Sequence, residues 1–386
     1  PPAAEAAPGP LPIEVEATYR HVTSTEGESR RPVRVVPTAS VMLEPGVAVL
    51  PLGDASAKAS RDAMARDLAF RVRVEAAAPE GVRGTLRLTL PDGWRAEPAT
   101  VSVALTAPGE SREVAFRVTP PAGVGAGEYA VGAVLETEDG KHYARGAEVV
   151  DYPHIHPRAR YRDAAATVRA LDVRVPTGLR VAYVPGAGDL VPEALVQLGL
   201  EPDLVDPAAI ASTDLDAYDV VVLGIRAYEH RPELAANNRA LLEYVERGGT
   251  LIVQYNQYRY SRGGLAPYPL DIARPHDRVT DETAPVRLLD PDHPALSWPN
   301  RITSADFEGW VQERGLYFPR TWDERYTPLL EMSDPGEPGL RGGLLVAKYG
   351  KGTYVYTGLA FFRQLPAGVP GAYRLFANLL ALGADR

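Results

Sequence analysis

The chain has 386 residues, of which 45% are hydrophobic and 24% are charged, and its formal net charge at pH 7 is −9. This length predicts two or three domains, and the apolar fraction is ordinary for a globular protein. The negative charge argues against general binding to nucleic acid or to an anionic membrane surface, because both need a basic face. The sequence contains no cysteine, which excludes disulfides, cysteine-ligated zinc and a thiol nucleophile.

The first residues of the chain are rich in proline and alanine, and residues 1–11 are therefore expected to form a disordered tail. They lack the basic start and apolar core of a signal peptide. Because the chain also does not begin with methionine, a fragment or a processed product is expected. No apolar run reaches the length of a membrane span.

Residues 12–150 are predicted to be rich in β-strands, most clearly over 64–150. Segments in which apolar and polar residues alternate with period two lie at 68–74, 85–90, 101–105, 113–118 and 129–135. Turn residues separate them, and Asp139-Gly140 is predicted to turn the last hairpin. Short strands at this spacing predict an all-β sandwich of immunoglobulin type.

Residues 151–177 are predicted to be a linker. His154 and His156 have a spacing that can bind a metal ion. No third ligand lies nearby in the sequence, and prolines flank both histidines, so docking or solvent exposure is the preferred interpretation and no metal site is predicted.

An α/β domain is predicted over residues 178–386, with its first strand at 179–184. Two short apolar runs, 220–224 and 250–256, flank an amphipathic helix at 232–247. This is the pattern of buried parallel strands joined by a crossover helix. A hairpin and a closing helix complete the domain, at 343–348, 352–357 and 372–382.

Polar side chains follow both apolar runs. In an open parallel sheet, ligands bind beyond the carboxyl ends of the strands. The candidate ligand-binding residues at these ends are Arg226, Tyr228, Glu229, Tyr255 and Asn256.

A long polar and aromatic segment, residues 258–325, precedes the hairpin. Insertions of this length are usually functional or interfacial. It supplies Arg274 and Trp310 as further candidates for ligand binding. Its carboxylates and histidines suit acid–base catalysis or a divalent cation, although their spacing alone supports neither. The candidate catalytic residues are Glu229, His276, Asp277 and Glu308.

Several motifs of the α/β domain resemble the ThuA-like branch of the flavodoxin-like, class I glutamine amidotransferase-like fold. The matching pieces are the strand Gly249-Thr-Leu-Ile-Val253, Asp292-His-Pro294, the hairpin from Lys348 to Gly358, and the helix that begins at Gly371. The elbow cysteine of true amidotransferases would follow the 250–254 strand. Tyr255 or Asn256 stands there, so the thiol chemistry of that family is not expected.

The whole chain resembles the C-terminal part of large bacterial PIG-L (LmbE-like) deacetylases. The motifs that carry this resemblance are Asp151-Tyr-Pro-His-Ile155, Gly224-Ile-Arg-Ala-Tyr-Glu229 and the segment from Asp306 to Phe318. The β-sandwich is similar to a domain found beside sugar-binding modules in some glycosidases. The zinc-dependent deacetylase chemistry of the family rests on a His-Pro-Asp-Asp motif. Neither His156-Pro157 nor His293-Pro294 is followed by Asp-Asp, so that activity is not carried over.

The leading hypothesis is a non-catalytic accessory region of a secreted or periplasmic PIG-L-family protein. Its expected partners are a carbohydrate or cell-envelope glycan and the N-terminal deacetylase domain of the same protein, and no cofactor is predicted. One alternative is a hydrolase with a cysteine-free site at the strand ends. A second alternative is a structural dimer or interdomain interface.

Overall fold

A computed structural model describes seven stretches of the chain, which are residues 17–24, 27–33, 36–53, 67–150, 152, 155 and 158–384. The tail expected at 1–11 and the pair His154 and His156 lie outside the described residues. The chain forms two units. The first is drawn from residues 1–45, 69–118 and 131–166, and the second from 46–68, 119–130 and 167–386.

The described part of the chain has fourteen strands before residue 172. In chain order they are β1 (Thr18–Thr23), β2 (Gly27–Pro32), β3 (Ala39–Glu44), β4 (Val47–Pro51), β5 (Leu68–Ala76), β6 (Val82–Thr89), β7 (Arg95–Glu97), β8 (Thr100–Leu105), β9 (Ser111–Thr119), β10 (Gly127–Thr137), β11 (His142–Tyr143), β12 (Arg145–Val150), β13 (Arg158–Asp163) and β14 (Ala165–Leu171). The five strands predicted between residues 68 and 135 are all confirmed.

The first unit contains a β-sandwich. Strands β3, β5, β9 and β7 form one sheet, while β10, β6 and β8 are neighbours in another, with β11 paired to β10. Residues along β5 alternate between buried and exposed, as the period-two pattern predicts. Its inward side chains Phe70, Val72 and Val74 are fully buried. The hairpin between β10 and β11 turns at Asp139-Gly140, where Gly140 has a φ of +80°.

Part of the segment predicted to be a linker is strand. Strands β12 and β13 pair antiparallel, from Arg145 opposite Asp163 to Val150 opposite Arg158. Strand β14 pairs parallel with β4 through residues 167–171 and belongs there to the second unit. The prediction of a linker over 151–177 was therefore wrong for residues 158–171. The flanking prolines and histidines hid a segment in which small and apolar residues recur.

The remaining strands all belong to the second unit. They are β15 (Val181–Val184), β16 (Asp203–Leu204), β17 (Val220–Leu223), β18 (Thr250–Gln254), β19 (Leu270–Asp271), β20 (Asp277–Val279), β21 (Val286–Leu288), β22 (Gly315–Phe318), β23 (Thr321–Trp322), β24 (Tyr326–Pro328), β25 (Leu330–Met332), β26 (Leu344–Tyr349) and β27 (Gly352–Thr357).

The described helices also belong to the second unit. The α-helices are α1 (Val191–Gln197), α2 (Ala227–His230), α3 (Pro232–Ala236), α4 (Asn238–Arg247), α5 (Tyr258–Arg262), α6 (Pro294–Ser297), α7 (Phe361–Gln364) and α8 (Pro370–Ala381). Short 3₁₀ helices cover Pro207–Ser212, Leu215–Ala217 and Ser304–Phe307. Among the described residues, no helix combines the length and the apolar character needed to cross a membrane.

A seven-stranded sheet organises the second unit in the order β16-β15-β17-β18-β27-β26-β24. Five neighbouring strands of this sheet are parallel, namely β16, β15, β17, β18 and β27. The last two strands, β26 and β24, are antiparallel to their neighbours. Every residue of β17 and β18 is buried, as the continuous apolar runs predict. Alternate side chains enter different apolar cores, with Val220 and Val222 in one and Val221 and Leu223 in the other.

The crossover helix predicted at 232–247 is divided at Asn237 into α3 and α4. The Asn237 side chain donates to the Pro207 carbonyl at 3.3 Å. Its neighbour Asn238 is buried and accepts the Tyr228 hydroxyl at 2.6 Å. These tertiary bonds explain the break, because asparagine side chains compete with the helical backbone for hydrogen bonds. Helix α4 ends at Gly248, which has a φ of +123°.

Candidate functional site

The chain turns sharply at the carboxyl end of β17. Arg226 follows this strand with φ 53° and ψ 28°, in the left-handed region, and α2 begins at the next residue. Its backbone N–H donates to the Tyr255 carbonyl at 2.8 Å, which ties the turn to the end of β18. A left-handed backbone is unfavourable for a residue with a side chain, and such residues often occur at functional sites.

Arg226 and Glu229 project unpaired polar atoms from this turn. The Glu229 Oε1 atom accepts the Gln257 N–H at 2.8 Å. The other carboxylate oxygen, Oε2, is buried and has no hydrogen-bond partner among the described residues, and the same is true of the Arg226 Nε atom. The two charged groups are near enough for the guanidinium to lower the pKa of the carboxyl, although burial dominates and raises that pKa above its ordinary value. Because Arg226 Nε and Glu229 Oε2 make no hydrogen bond within the described structure, both atoms keep hydrogen-bonding capacity for a ligand.

Aromatic rings lie beside this pair. The rings of Tyr255 and Tyr317 are nearly parallel, with centroids 5.9 Å apart and an interplanar angle of 9°. His276 stacks on Tyr317 at 3.9 Å, and Tyr258 contacts it edge-on at 5.6 Å. The Gln257 amide donates to the Tyr317 hydroxyl at 3.0 Å. Tyr317 itself has a φ of +55°, so a second left-handed residue fixes this wall.

His276 belongs to the wall, and its surroundings favour the neutral form of the ring. Burial lowers its pKa below the ordinary value, and the nearby Arg278 lowers it further. Its Nδ1 atom lies 3.4 Å from the Tyr258 hydroxyl. The Arg274 guanidinium lies over the Tyr258 ring, 4.0 Å from the centroid, and extends the wall toward solvent. We call the following residues the strand-end cluster: Arg226, Glu229, Tyr255, Gln257, Tyr258, Arg274, His276 and Tyr317.

An ion triad centred on a buried glutamate, Glu313, lies next to the strand-end cluster. Glu313 is buried and pairs with Arg278 at 2.9 Å and with Arg363 at 3.0 Å. Arg363 also bonds the side chain of Gln312, the third left-handed residue. The Arg363 guanidinium lies 4.8 Å from the centroid of the Phe362 ring, which in turn lies 5.3 Å from the Tyr255 ring, so the triad is on the Tyr255 side of the cluster.

Five of the predicted site residues have other roles. Tyr255 is only 6% exposed, so its ring supports the aromatic wall from within the core and offers no open face. Tyr228 and Asn256 are fully buried and support the turn, since the Asn256 Oδ1 accepts the Tyr228 N–H at 3.1 Å. Asp277 lies beside His276, but its carboxylate is engaged by Arg320 at 2.5 Å. Trp310 is in the core, with its indole N–H bonded to the Asp306 carbonyl at 3.0 Å. It therefore offers no free face to a ligand or to a partner.

Glu308 also lies outside the strand-end cluster. It is exposed and ends the 3₁₀ helix Ser304–Phe307, which packs against α8 and β21. Of the four predicted catalytic residues, Glu229 and His276 belong to the strand-end cluster, where they are linked through Gln257 and Tyr317. Asp277 is adjacent to His276 but paired.

Two residues of the site, Gln257 and Tyr317, were not predicted from the sequence, whereas Gln254 belongs to the predicted strand-end segment 250–256. Gln257 follows β18, so the strand-end rule could have included it. Tyr317 is brought in by the long segment, and no sequence signal marks its left-handed backbone. Gln254 lies beneath the sheet end, where its Oε1 is buried without a described partner and its amide lies 3.4 Å from the Tyr183 hydroxyl.

A cavity lies outside the strand-end cluster. It has a volume of about 280 Å³ and is lined by residues 260–262 and 264–270, and none of the cluster residues lines it. Within the described part of the chain, no three His, Asp or Glu side chains converge to hold a metal ion.

Solved structures share partial likeness with the chain. The CARDB domain of the PF1109 protein from Pyrococcus furiosus is 18% identical, over 35% of this chain and 94% of that one, with a TM-score of 0.21. The β-galactosidase from Rahnella sp. R3 is 17% identical, over 52% and 31%, with a TM-score of 0.29. The exo-β-1,4-mannosidase Op5Man5 from Opitutaceae bacterium strain TAV5 is 11% identical, over 54% and 36%, with a TM-score of 0.30. The chain spans about a third of the length of these two glycosidases.

One protein family matches a part of the chain. No curated protein matches the chain. Residues 67–137 match the family described as "NPCBM-associated, NEW3 domain of alpha-galactosidase". This range runs from β5 to β10 and covers the strands of the β-sandwich except β3 and β11. The sandwich is therefore similar to the NEW3 domain.

Proposed function

We propose that the chain is a non-catalytic accessory region of a secreted or periplasmic PIG-L-family deacetylase, and that its second unit binds a glycan at the strand-end cluster. The observation that carries the proposal is the pair Arg226 and Glu229, whose buried Nε and Oε2 atoms face no partner beside a wall of aromatic rings. Sugars combine hydroxyl groups with apolar ring faces, so such a mixture of polar and flat groups suits them.

Two further observations support an accessory role. The similarity of residues 67–137 to a NEW3 domain of α-galactosidase points to a carbohydrate context. The order of the parallel strands, with polar groups at their carboxyl ends, is what a flavodoxin-like, amidotransferase-like domain would show. Tyr255 or Asn256 stands where the amidotransferase cysteine would follow β18, and this supports binding in preference to thiol chemistry.

Calorimetric titration of the full chain with acetylated amino sugars and oligosaccharides tests the proposal. Arg226→Gln should weaken binding at least tenfold, because it removes the charged donor. Arg239→Gln is the matched control, since the Arg239 side chain is 89% exposed on α4 and, among the described residues, pairs with its helical neighbour Glu243 alone. An absence of binding to any saccharide, or equal binding by both variants, would overturn the proposal.

The PIG-L part of the proposal rests on the motifs of the sequence and needs a separate test. Analytical ultracentrifugation of the full chain with a purified PIG-L-family deacetylase domain should reveal a complex. If the two proteins sediment independently at every concentration, the chain does not act beside that domain.

A hydrolase is the second candidate function, because burial raises the pKa of Glu229 and one of its oxygens is free. A carboxyl group with these properties can act as a general acid. Any saccharide that binds should therefore be incubated with the chain and with Glu229→Gln. Product formed by the native chain and lost in the variant would assign an enzyme, and an unchanged saccharide would retain the accessory role.

A further inference from the structure

The strand-end cluster carries positive charge in an otherwise acidic protein. The chain as a whole has a net charge of −9. Around the cluster, the guanidinium groups of Arg226, Arg274, Arg278 and Arg363 outnumber the carboxylates of Glu229 and Glu313. The adjacent pair of Asp277 and Arg320 is neutral. A local surplus of guanidinium groups attracts anions, and partial burial reduces the screening of that attraction by salt.

The arginines differ in how much of their capacity is already used. Arg278 and Arg363 each pair with Glu313. Arg274 rests on the Tyr258 ring and has no ion-pair partner in the described structure. Arg226 has neither an ion pair nor a side-chain hydrogen bond among the described residues, and its Nε is buried. Arg226 is therefore the arginine at the turn whose side-chain hydrogen-bonding capacity the described residues leave unused.

We propose that the strand-end cluster selects a saccharide that carries a carboxylate, which Arg226 binds, while Glu229 Oε2 accepts a neighbouring sugar hydroxyl. This inference rests on the proposed glycan-binding function and specifies its ligand class. A carboxylate accepts two parallel hydrogen bonds from a guanidinium, which a single hydroxyl cannot do. In a uronic acid, the carboxylate on C5 adjoins the hydroxyl on C4, so one ring edge presents an acceptor for Arg226 and a donor for Glu229.

The contacts of Glu229 fit this role. The Gln257 N–H already occupies Oε1 and fixes the carboxyl group, so Oε2 alone is left to meet the ligand. Glu229 then sets the orientation of the bound sugar, because its carboxylate repels the ligand carboxylate and directs that group to Arg226.

Calorimetric titration of the full chain with methyl β-D-glucuronide and methyl β-D-glucoside tests the inference. These two probes differ by a carboxylate in place of a hydroxymethyl group. The glucuronide should bind at least tenfold more tightly at low ionic strength, and high salt should reduce this preference. Arg226→Gln should abolish the preference, Arg274→Gln should reduce it a few-fold, and Arg239→Gln should leave it unchanged.

The outcomes separate the inference from the function beneath it. Equal affinity for the two probes, with Arg226→Gln weakening both, would overturn carboxylate selection and retain glycan binding. Failure of all saccharides to bind would overturn both. A preference for glucuronide that survives Arg226→Gln would place the anion elsewhere and overturn the inference. Thermal unfolding checks that the variants are folded, and Arg226→Lys, which keeps the charge and loses the bidentate fork, should show an intermediate preference if the glutamine variant does not fold.

Discussion

Three residues with side chains adopt a left-handed backbone in the described structure, and all of them surround the candidate site. They are Arg226, Gln312 and Tyr317. Arg226 forms the turn, Tyr317 forms the aromatic wall, and Gln312 bonds to Arg363 of the ion triad. Such conformations cost stability and persist where neighbouring structure holds them. Their concentration at one place argues that the site, and not the stability of the fold, determines these residues.

The backbone of Arg226 makes a prediction about stability. Glycine adopts a left-handed backbone at little cost, whereas alanine pays about 1–2 kcal/mol. The free energy of unfolding of Arg226→Gly should therefore exceed that of Arg226→Ala by about 1 kcal/mol, as measured by urea denaturation.

Glu243, in the middle of α4, provides the matched control. There the order should reverse, with the glycine variant about 1 kcal/mol less stable than the alanine variant. If Arg226→Gly were no more stable than Arg226→Ala, the turn would not be strained.

The raised pKa of Glu229 predicts how the free energy of unfolding depends on pH. The ordinary pKa of Glu229 is 4.5, and burial raises the pKa in the folded chain. Between these two values the folded state binds more protons than the unfolded state, so the free energy of unfolding falls as pH rises. The charged or titratable groups that face Glu229 are Arg226, Tyr317 and Tyr356. None of these groups is expected to change protonation in this acidic window, since tyrosine and arginine titrate far above it.

The pH effect is measured by comparing Glu229→Gln with the native chain in urea denaturation at a series of pH values. The variant should gain stability relative to the native chain as pH rises from 4.5 through the raised pKa, and the difference should then become constant. A difference that does not change with pH would contradict the raised pKa.

At the scale of elements, β17 links the sequence to the fold most directly. Its continuous apolar run is buried on both sides of the sheet, and Leu223 is fully buried. Leu223→Ala should lower the free energy of unfolding by about 2–5 kcal/mol, because it leaves a cavity. Leu204→Ala on the edge strand β16 is the control, since Leu204 is 65% exposed, and its effect should stay within about 0.5 kcal/mol. Similar losses in the two variants, followed by urea denaturation, would argue against a β17 buried on both sides.

The elements also show how far the sequence predicts the structure. Strands β5 and β17 follow from their own periodicity, since alternation and continuous apolarity are local signals of burial. The break at Asn237 does not follow, because the partner of that side chain is Pro207, thirty residues away. The position of Trp310 was predicted wrongly for the same kind of reason. Its aromatic ring is compatible with a binding face and with a core, and only tertiary packing decides between them.

In the candidate site, the residues at the strand ends could be predicted from the sequence, but the aromatic wall around Tyr317 could not. Arg226, Glu229 and Tyr255 follow from the rule that ligands bind beyond parallel strands. Tyr317 reaches Tyr255 from 62 residues further along the chain, through a segment of short paired strands with no periodic pattern. The path of such a segment depends on tertiary contacts, so its contribution could not be predicted from local residues.

At the scale of the whole molecule, the two units do not follow the predicted boundaries. The α/β domain was expected to begin at residue 178, yet Val49, Leu171 and Val173 lie in the same apolar core as Val181 and Tyr183. Each unit is drawn from three separate parts of the chain. A fragment that begins at residue 178 would therefore lose part of the core of the second unit.

The two units predict a local effect of ligand on hydrogen exchange. A saccharide that binds only the folded strand-end cluster, at a hundred times its Kd, adds about 2.7 kcal/mol to the stability of the bound state. Amide protection should rise at Arg226 and Gln257, whose N–H groups bond to Tyr255 and Glu229, as measured by exchange and mass spectrometry. Peptides from residues 68–137 should not change. Protection confined to those sandwich strands would instead place the saccharide on the NEW3-like part.

The seven-stranded sheet ends in two very short strands. Strand β16 has two residues, and β24 has three, the last of which is Pro328. A proline has no N–H to donate, and a strand this short leaves few free backbone groups for another molecule to pair with. Long bare edges recruit foreign strands and lead to aggregation, so the ends of this sheet protect the chain when it is concentrated.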